Sequence, residues 1–160
     1  MSCQRSDSDV RGTLRVEPGK WVDHWATEMI GAAIEVHRIL GPGYLEGVYE
    51  EALSVELDFR GIPFERQKPA GVEYKGQLIG ESRMDLLIGG CLIVELKAVD
   101  VLLPIHVAQV ISYLRALNLS LGLLINFNVP LLKKGIKRVV WSSKFGGLGD
   151  LMVPNEEFPF

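Results

Sequence analysis

The sequence predicts an α/β domain: a mixed β-sheet flanked by helices, its elements ordered α-α-β-β-β-α-β-β. Three observations predict it. Residues 23–40 and 103–118 place apolar side chains at helical spacing. Residues 62–99 read as three consecutive strands, broken at Lys75-Gly76 and Gly89-Gly90. "LSLGLLINF" is a wholly apolar run of strand length, as a buried strand requires.

The elements follow in order. Residues 1 to about 20 are polar and aperiodic, a leader before a domain at 21–142. "DHWATEMIGAAIEVHRIL" sets Met29, Ile30, Ala33, Ile34, His37 and Leu40 on one helical face, and "GPG" at 41–43 ends it. A second helix runs from about Leu45 to Phe59, with Gly61 as its stop. The three strands come next. "LPIHVAQVISYLRALN" is a third helix, since Ile105, Val107, Val110, Ile111 and Leu114 cluster on one side. After the apolar strand, "LKKGIKRVVW" suggests a turn and an edge strand. Residues 143–160 read as a loosely structured tail, in which "FGGLGDLMV" offers an apolar surface to a second subunit in a homodimer.

The chain has 160 residues, length enough for one real core. Its 48% hydrophobic and 23% charged residues are ordinary for a soluble globular protein. No apolar run approaches the roughly 18–20 residues of a membrane span, and the N-terminus lacks a signal-peptide core. Two cysteines, Cys3 and Cys91, make no disulfide framework, which points to a reducing, cytoplasmic setting. The net charge of −3 excludes a broad electrostatic attraction to nucleic acid, so any phosphate-binding surface is local.

The chemistry concentrates in "ESRMDLLIGGCLIVELKAVD", residues 81–100. Asp85, Glu95 and Lys97 interrupt two apolar runs, where an unpaired ion loses several kcal/mol of hydration. Alternation along a strand sends Glu95 and Lys97 to one face and Val94 and Leu96 to the other. The turn decides where Asp85 goes. A two-residue Gly89-Gly90 loop pairs Asp85 with Val94 and turns it away; a three-residue loop, or a bulge near Asp85, brings it opposite Glu95. Opposed buried carboxylates repel, and that arrangement calls for a cation between them. Mg2+ or Mn2+ suits such oxygen donors and keeps water ligands for a nucleophile. Lys97 could then orient or deprotonate the attacking water. The competing reading is a surface Glu95–Lys97 ion pair with Asp85 capping a turn. The continuous apolar flanks weigh against a solvated face.

Other residues bear on the same chemistry. Glu46 and Tyr49 lie three apart at the start of the second helix; Glu46 is a third candidate carboxylate, or a first-turn acid complementing the helix dipole. His106, Gln109 and Tyr113 form a polar stripe on the third helix, able to touch a nucleic-acid backbone or hold water, or simply a solvated edge. His37 reads as a satisfied helix histidine. "KKGIKR" at 133–138 is a small basic cluster usable as a rim.

The combination of Gly43, Glu46 and Tyr49 as G-x-x-E-x-x-Y, then Asp85, Glu95 and Lys97 as D-x9-E-x-K, then Gln109 and Tyr113 as Q-x-x-x-Y, resembles the small GxxExxY proteins of the PD-(D/E)XK nuclease superfamily. The likeness spans roughly residues 24–140. It implies a restriction-endonuclease-like core, with Asp85 and Glu95 as metal ligands, Lys97 as the catalytic lysine and Glu46 as the helical acidic residue. It also implies a nucleic-acid substrate, DNA or RNA. Gln109 and Tyr113 match a helix found in nuclease domains attached to bacterial recombination helicases. Met84 stands where proline is frequent, a departure that removes no ligand. The expected activity is therefore metal-dependent phosphodiester hydrolysis, with the Leu96 carbonyl as an additional metal ligand. The alternative is a non-catalytic nucleic-acid-binding or regulatory module that keeps the fold.

Overall fold

The expected order of helices and strands is present across residues 19–143, the part of the chain that the computed structural model describes. The leader up to residue 18 and the tail from residue 144, with its "FGGLGDLMV" stretch, lie outside the described residues. Helix α1 spans Lys20–Leu40 and α2 spans Glu46–Arg60. Strands β1 (Phe64–Tyr74), β2 (Gln77–Ile88) and β3 (Leu92–Lys97) precede α3 (Pro104–Leu117), β4 (Leu121–Asn126) and β5 (Ile136–Val140). The turn expected in "LKKG" is a single 3-10 turn at Leu132–Gly135.

The five strands form one sheet in sequence order. Only β3 and β4 run parallel, because α3 carries the chain back between them. Alternation then sorts the core into two faces. Leu92, Val94 and Leu96 of β3 join Leu86, Ile88, Leu123 and Ile125 beneath α1 and α2. Ile93, Leu87 and Leu124 pack instead with Val107, Val110 and Leu114 of α3. A three-layer arrangement results, and α2 and α3 lie on opposite faces of β3.

The β2–β3 turn sets the register of the two strands. Ile88 pairs with Leu92, so the loop has three residues, and the Cys91 N–H closes it on the Ile88 carbonyl at 3.1 Å. Gly89 and Gly90 both take positive φ, +57° and +71°, a region that disfavours side chains. A Cβ on Gly89 would also lie 2.3 Å from the Trp25 indole nitrogen. The expectation for the cysteines is corrected here: Cys91 is disulfide-bonded, not a free thiol. The cysteines therefore give no argument for a reducing compartment. Among the described residues no helix is long and apolar enough to cross a membrane.

Candidate active site at the fork of β2 and β3

The three-residue loop sets the register Leu86 to Val94, and continuing it brings Asp85 opposite Glu95. There the ladder stops and the strands fork. Side chains take over the bonds that the backbone gives up. The Leu96 N–H donates to Asp85 Oδ2 at 2.8 Å, and the Asp85 N–H donates to Glu95 Oε2 at 3.4 Å. Neither carboxylate is solvated: Asp85 is 8% exposed and Glu95 3%. Lys97, on the same face as Glu95, donates from Nζ to Glu95 Oε1 at 3.3 Å.

The electrostatics follow from this burial. Loss of hydration, reinforced by the Asp85 charge, pushes the Glu95 carboxyl up to about 7, with Lys97 opposing. Burial also raises Asp85; the Leu96 N–H bond opposes this and the Glu50 charge adds to it. Glu46 is raised by burial too, although Lys97 pulls it down; Asp85 and Glu50 push it further up. Glu46, at the first turn of α2, therefore shares one field with the hairpin acids.

Gly43 and Tyr49 do not reach the acids; they shape the approach to Glu46. Tyr49 is fully buried, stacked on Phe127 at 4.4 Å between ring centroids. Its hydroxyl donates to the Gly41 carbonyl at 2.6 Å and accepts the Tyr44 N–H at 3.2 Å. Gly43 sits at φ +109°, outside the range comfortable for a side chain. The loop before α2 is thus pinned from below, and the helix opens at Glu46.

On α3, Gln109 Nε2 donates to the Tyr113 hydroxyl at 3.1 Å, which donates in turn to the Arg83 carbonyl at 2.8 Å. Burial raises the Tyr113 phenol, and the charges of Glu95 and Asp85 add to that rise, so this pair borders the acids. His106 does something else: its Nδ1 accepts the Leu103 N–H at 3.0 Å and caps the first turn of α3. His37 is satisfied, donating from Nε2 to the Val129 carbonyl at 2.8 Å.

Three residues at the site escaped the sequence reading. Glu50, one helical turn after Glu46, accepts from Arg66 Nε at 3.1 Å and from Gln67 Nε2 at 3.0 Å. The same Gln67 nitrogen lies 3.4 Å from Asp85 Oδ1. The i, i+4 spacing of Glu46 and Glu50 was the available signal for Glu50. Gln67 had none, because its reach depends on a backbone at φ +49°. Asn126 is the third, buried at the end of β4; its side chain grips Val99 through both N–H and C=O, at 3.1 and 2.8 Å, and orders the chain just beyond Lys97.

The donor set is oxygen-rich and negative, the chemistry of a hard divalent cation. Among the described residues, however, no three acidic, histidine or cysteine groups stand together as a ready-made metal cluster. The carboxylate oxygens are instead held by N–H donors. A family model described as the PD-(D/E)XK nuclease superfamily matches residues 23–139, and the layered sheet agrees with that fold. No curated protein matches the chain. No solved structure does either.

Proposed function

The chain belongs to the PD-(D/E)XK nuclease superfamily, and on that premise we propose that it is a Mg2+- or Mn2+-dependent hydrolase of nucleic-acid phosphodiester bonds, of the GxxExxY kind. The observation that carries this reading is the fork. Two buried carboxylates, Asp85 and Glu95, face each other there with Lys97 beside them.

Asp85, Glu95 and Glu46 would hold the ion, with the Leu96 carbonyl as an additional ligand. A bound divalent ion would offset the repulsion among these acids and supply Lewis acidity at the phosphate. The Lys97 ammonium orients the attacking water by donating a hydrogen bond to its oxygen, and it stabilises the negative charge that develops on the phosphate, while the water's proton leaves to solvent. Glu95 keeps the Lys97 ammonium in place through their contact. Gln109 and Tyr113 orient water or the scissile strand from the α3 side. His106, whose Nδ1 is spent on the helix cap, contributes to strand positioning through Nε2. The cluster Lys133, Lys134, Lys137 and Arg138 serves as a local rim for phosphates.

The test uses the purified full chain with end-labelled single-stranded DNA, duplex DNA and RNA, in Mg2+, Mn2+ or EDTA. Metal-dependent cleavage of one of these, lost in Lys97→Ala, is expected. A second reading is favoured by the net charge of −3, since tight nonspecific binding needs many phosphate contacts. It is a non-catalytic module that keeps the fold, its regulatory form favoured over its nucleic-acid-binding form by that charge. Stabilisation by Mn2+ with no cleavage of any substrate selects it and rejects the hydrolase.

A further inference from the structure

We propose that the carboxamide of Gln67 is a cation surrogate: it compensates, in the ion-free protein, the carboxylate charge that a bound divalent ion would compensate. This makes Gln67 a positioning residue of the site, and the inference rests on the metal-binding reading above.

The four carboxylate oxygens of Glu50 and Asp85 each meet one N–H donor. Arg66 Nε holds Glu50 Oε1 at 3.1 Å, and the Leu96 N–H holds Asp85 Oδ2 at 2.8 Å. A single nitrogen, Gln67 Nε2, serves the other two, Glu50 Oε2 at 3.0 Å and Asp85 Oδ1 at 3.4 Å. A primary amide has two N–H bonds, so one group bridges acids from a helix and a strand. The reverse orientation would set the amide oxygen against two carboxylates. Chemistry therefore fixes which end faces them.

The backbone serves this contact. Arg66 pairs with Leu86 and Lys68 with Met84, but Gln67 drops out of the ladder. It takes φ +49°, a conformation few residues with a side chain adopt. The bridge to Asp85 is the longest of the four contacts and so the easiest to displace. Asp85 Oδ1 is therefore the oxygen that the protein would release first to a cation, before the contacts of Arg66 or Leu96 are disturbed. A neutral dipole fits this role: it offsets repulsion without filling the site with a permanent charge.

The experiment is thermal unfolding of the full-length protein and of Gln67→Ala and Gln67→Lys, each in EDTA and in saturating Mn2+. All three residues carry a Cβ, so the cost of positive φ cancels. Gln67→Ala is expected to lower the EDTA midpoint by roughly 3–6 °C while moving the Mn2+ midpoint far less, so that the ion-induced shift grows. Gln67→Lys, which places a fixed ammonium there, raises the EDTA midpoint and loses most of the ion-induced shift. Equal displacement of both midpoints by Gln67→Ala means a merely structural role and overturns the proposal. If the parent protein shows no Mn2+ shift, the metal reading fails. The EDTA arm then decides the surrogate alone: opposite displacements by Ala and Lys sustain it, and displacements of the same sign reject it.

Discussion

Asp85 and Glu95 each bond a backbone N–H of the opposing strand: Asp85 takes that of Leu96, and Glu95 takes that of Asp85. The reciprocal exchange occurs where the β2–β3 ladder ends, so the fork stays satisfied while two acids are held in apolar surroundings. Their proximity costs stability.

Ion-free stability should fall as pH rises from about 5 to about 7.5. The Glu95 carboxyl titrates near 4.5 in the unfolded chain and near 7 when folded. Between those values the folded state keeps a proton that the unfolded state has lost, so raising the pH favours unfolding. The contribution is complete below 4.5 and gone above 7, on the order of 3 kcal/mol. Asp85 and Glu46, also raised, act in the same sense. Glu35 and Glu51, lowered by Arg38 and Arg66, act in the opposite sense at lower pH. Melting in EDTA across this range checks it; Glu95→Gln should flatten most of the slope and melt higher than the parent at pH 8.

Lys97→Met should lower cleavage by about 100-fold or more, the usual scale for a group that acts on the nucleophile. It should also lower the ion-free melting temperature at pH 8, because Glu95 loses its salt bridge to Lys97. Single-turnover cleavage and calorimetry on the same sample separate the two effects. Cleavage within threefold of the parent would remove Lys97 from the chemistry.

Tyr49→Phe should cost about 1–2 kcal/mol, since the hydroxyl bonds to Gly41 and Tyr44 disappear while the stack on Phe127 stays. Cleavage measured well below the melting temperature should change by less than about threefold, as the ring lies under the loop and away from the acids. A large loss of activity with unchanged stability would assign this tyrosine a direct role.

Gln109→Ala should reduce cleavage by about tenfold with little change in melting temperature, because its amide is half-buried at the site's edge and bonds the Tyr113 hydroxyl. His106→Ala should cost about 0.5–1 kcal/mol through the lost α3 cap. If it also raises KM at unchanged kcat, the imidazole helps to hold the strand; unchanged kinetics would confine it to capping.

Much of the site was legible because it lies on regular elements. Glu95 and Lys97 share a face by strand alternation alone, and Glu46 opens the second helix; Glu50, one turn further on, had the same spacing signal and was missed. The pairing of Asp85 with Glu95 was one of two outcomes open to the sequence. Both loop lengths are compatible with Gly89-Gly90, and the close packing of Trp25 on Gly89 is a tertiary contact. Tyr49 reads as a partner of Glu46 in spacing, yet its environment is the core, because Phe127 arrives from the far end of β4.

By itself the sequence determined the order of elements, the two faces of β3 and the acids and lysine available for chemistry, since periodicity and residue type are local properties. Tertiary structure alone decided that Gln67 leaves its ladder to bridge Glu50 and Asp85, and that burial lifts the Glu95 carboxyl to about 7. Both depend on which groups exclude water and meet across layers. That is a property of packing between segments distant in the chain, which no local pattern encodes.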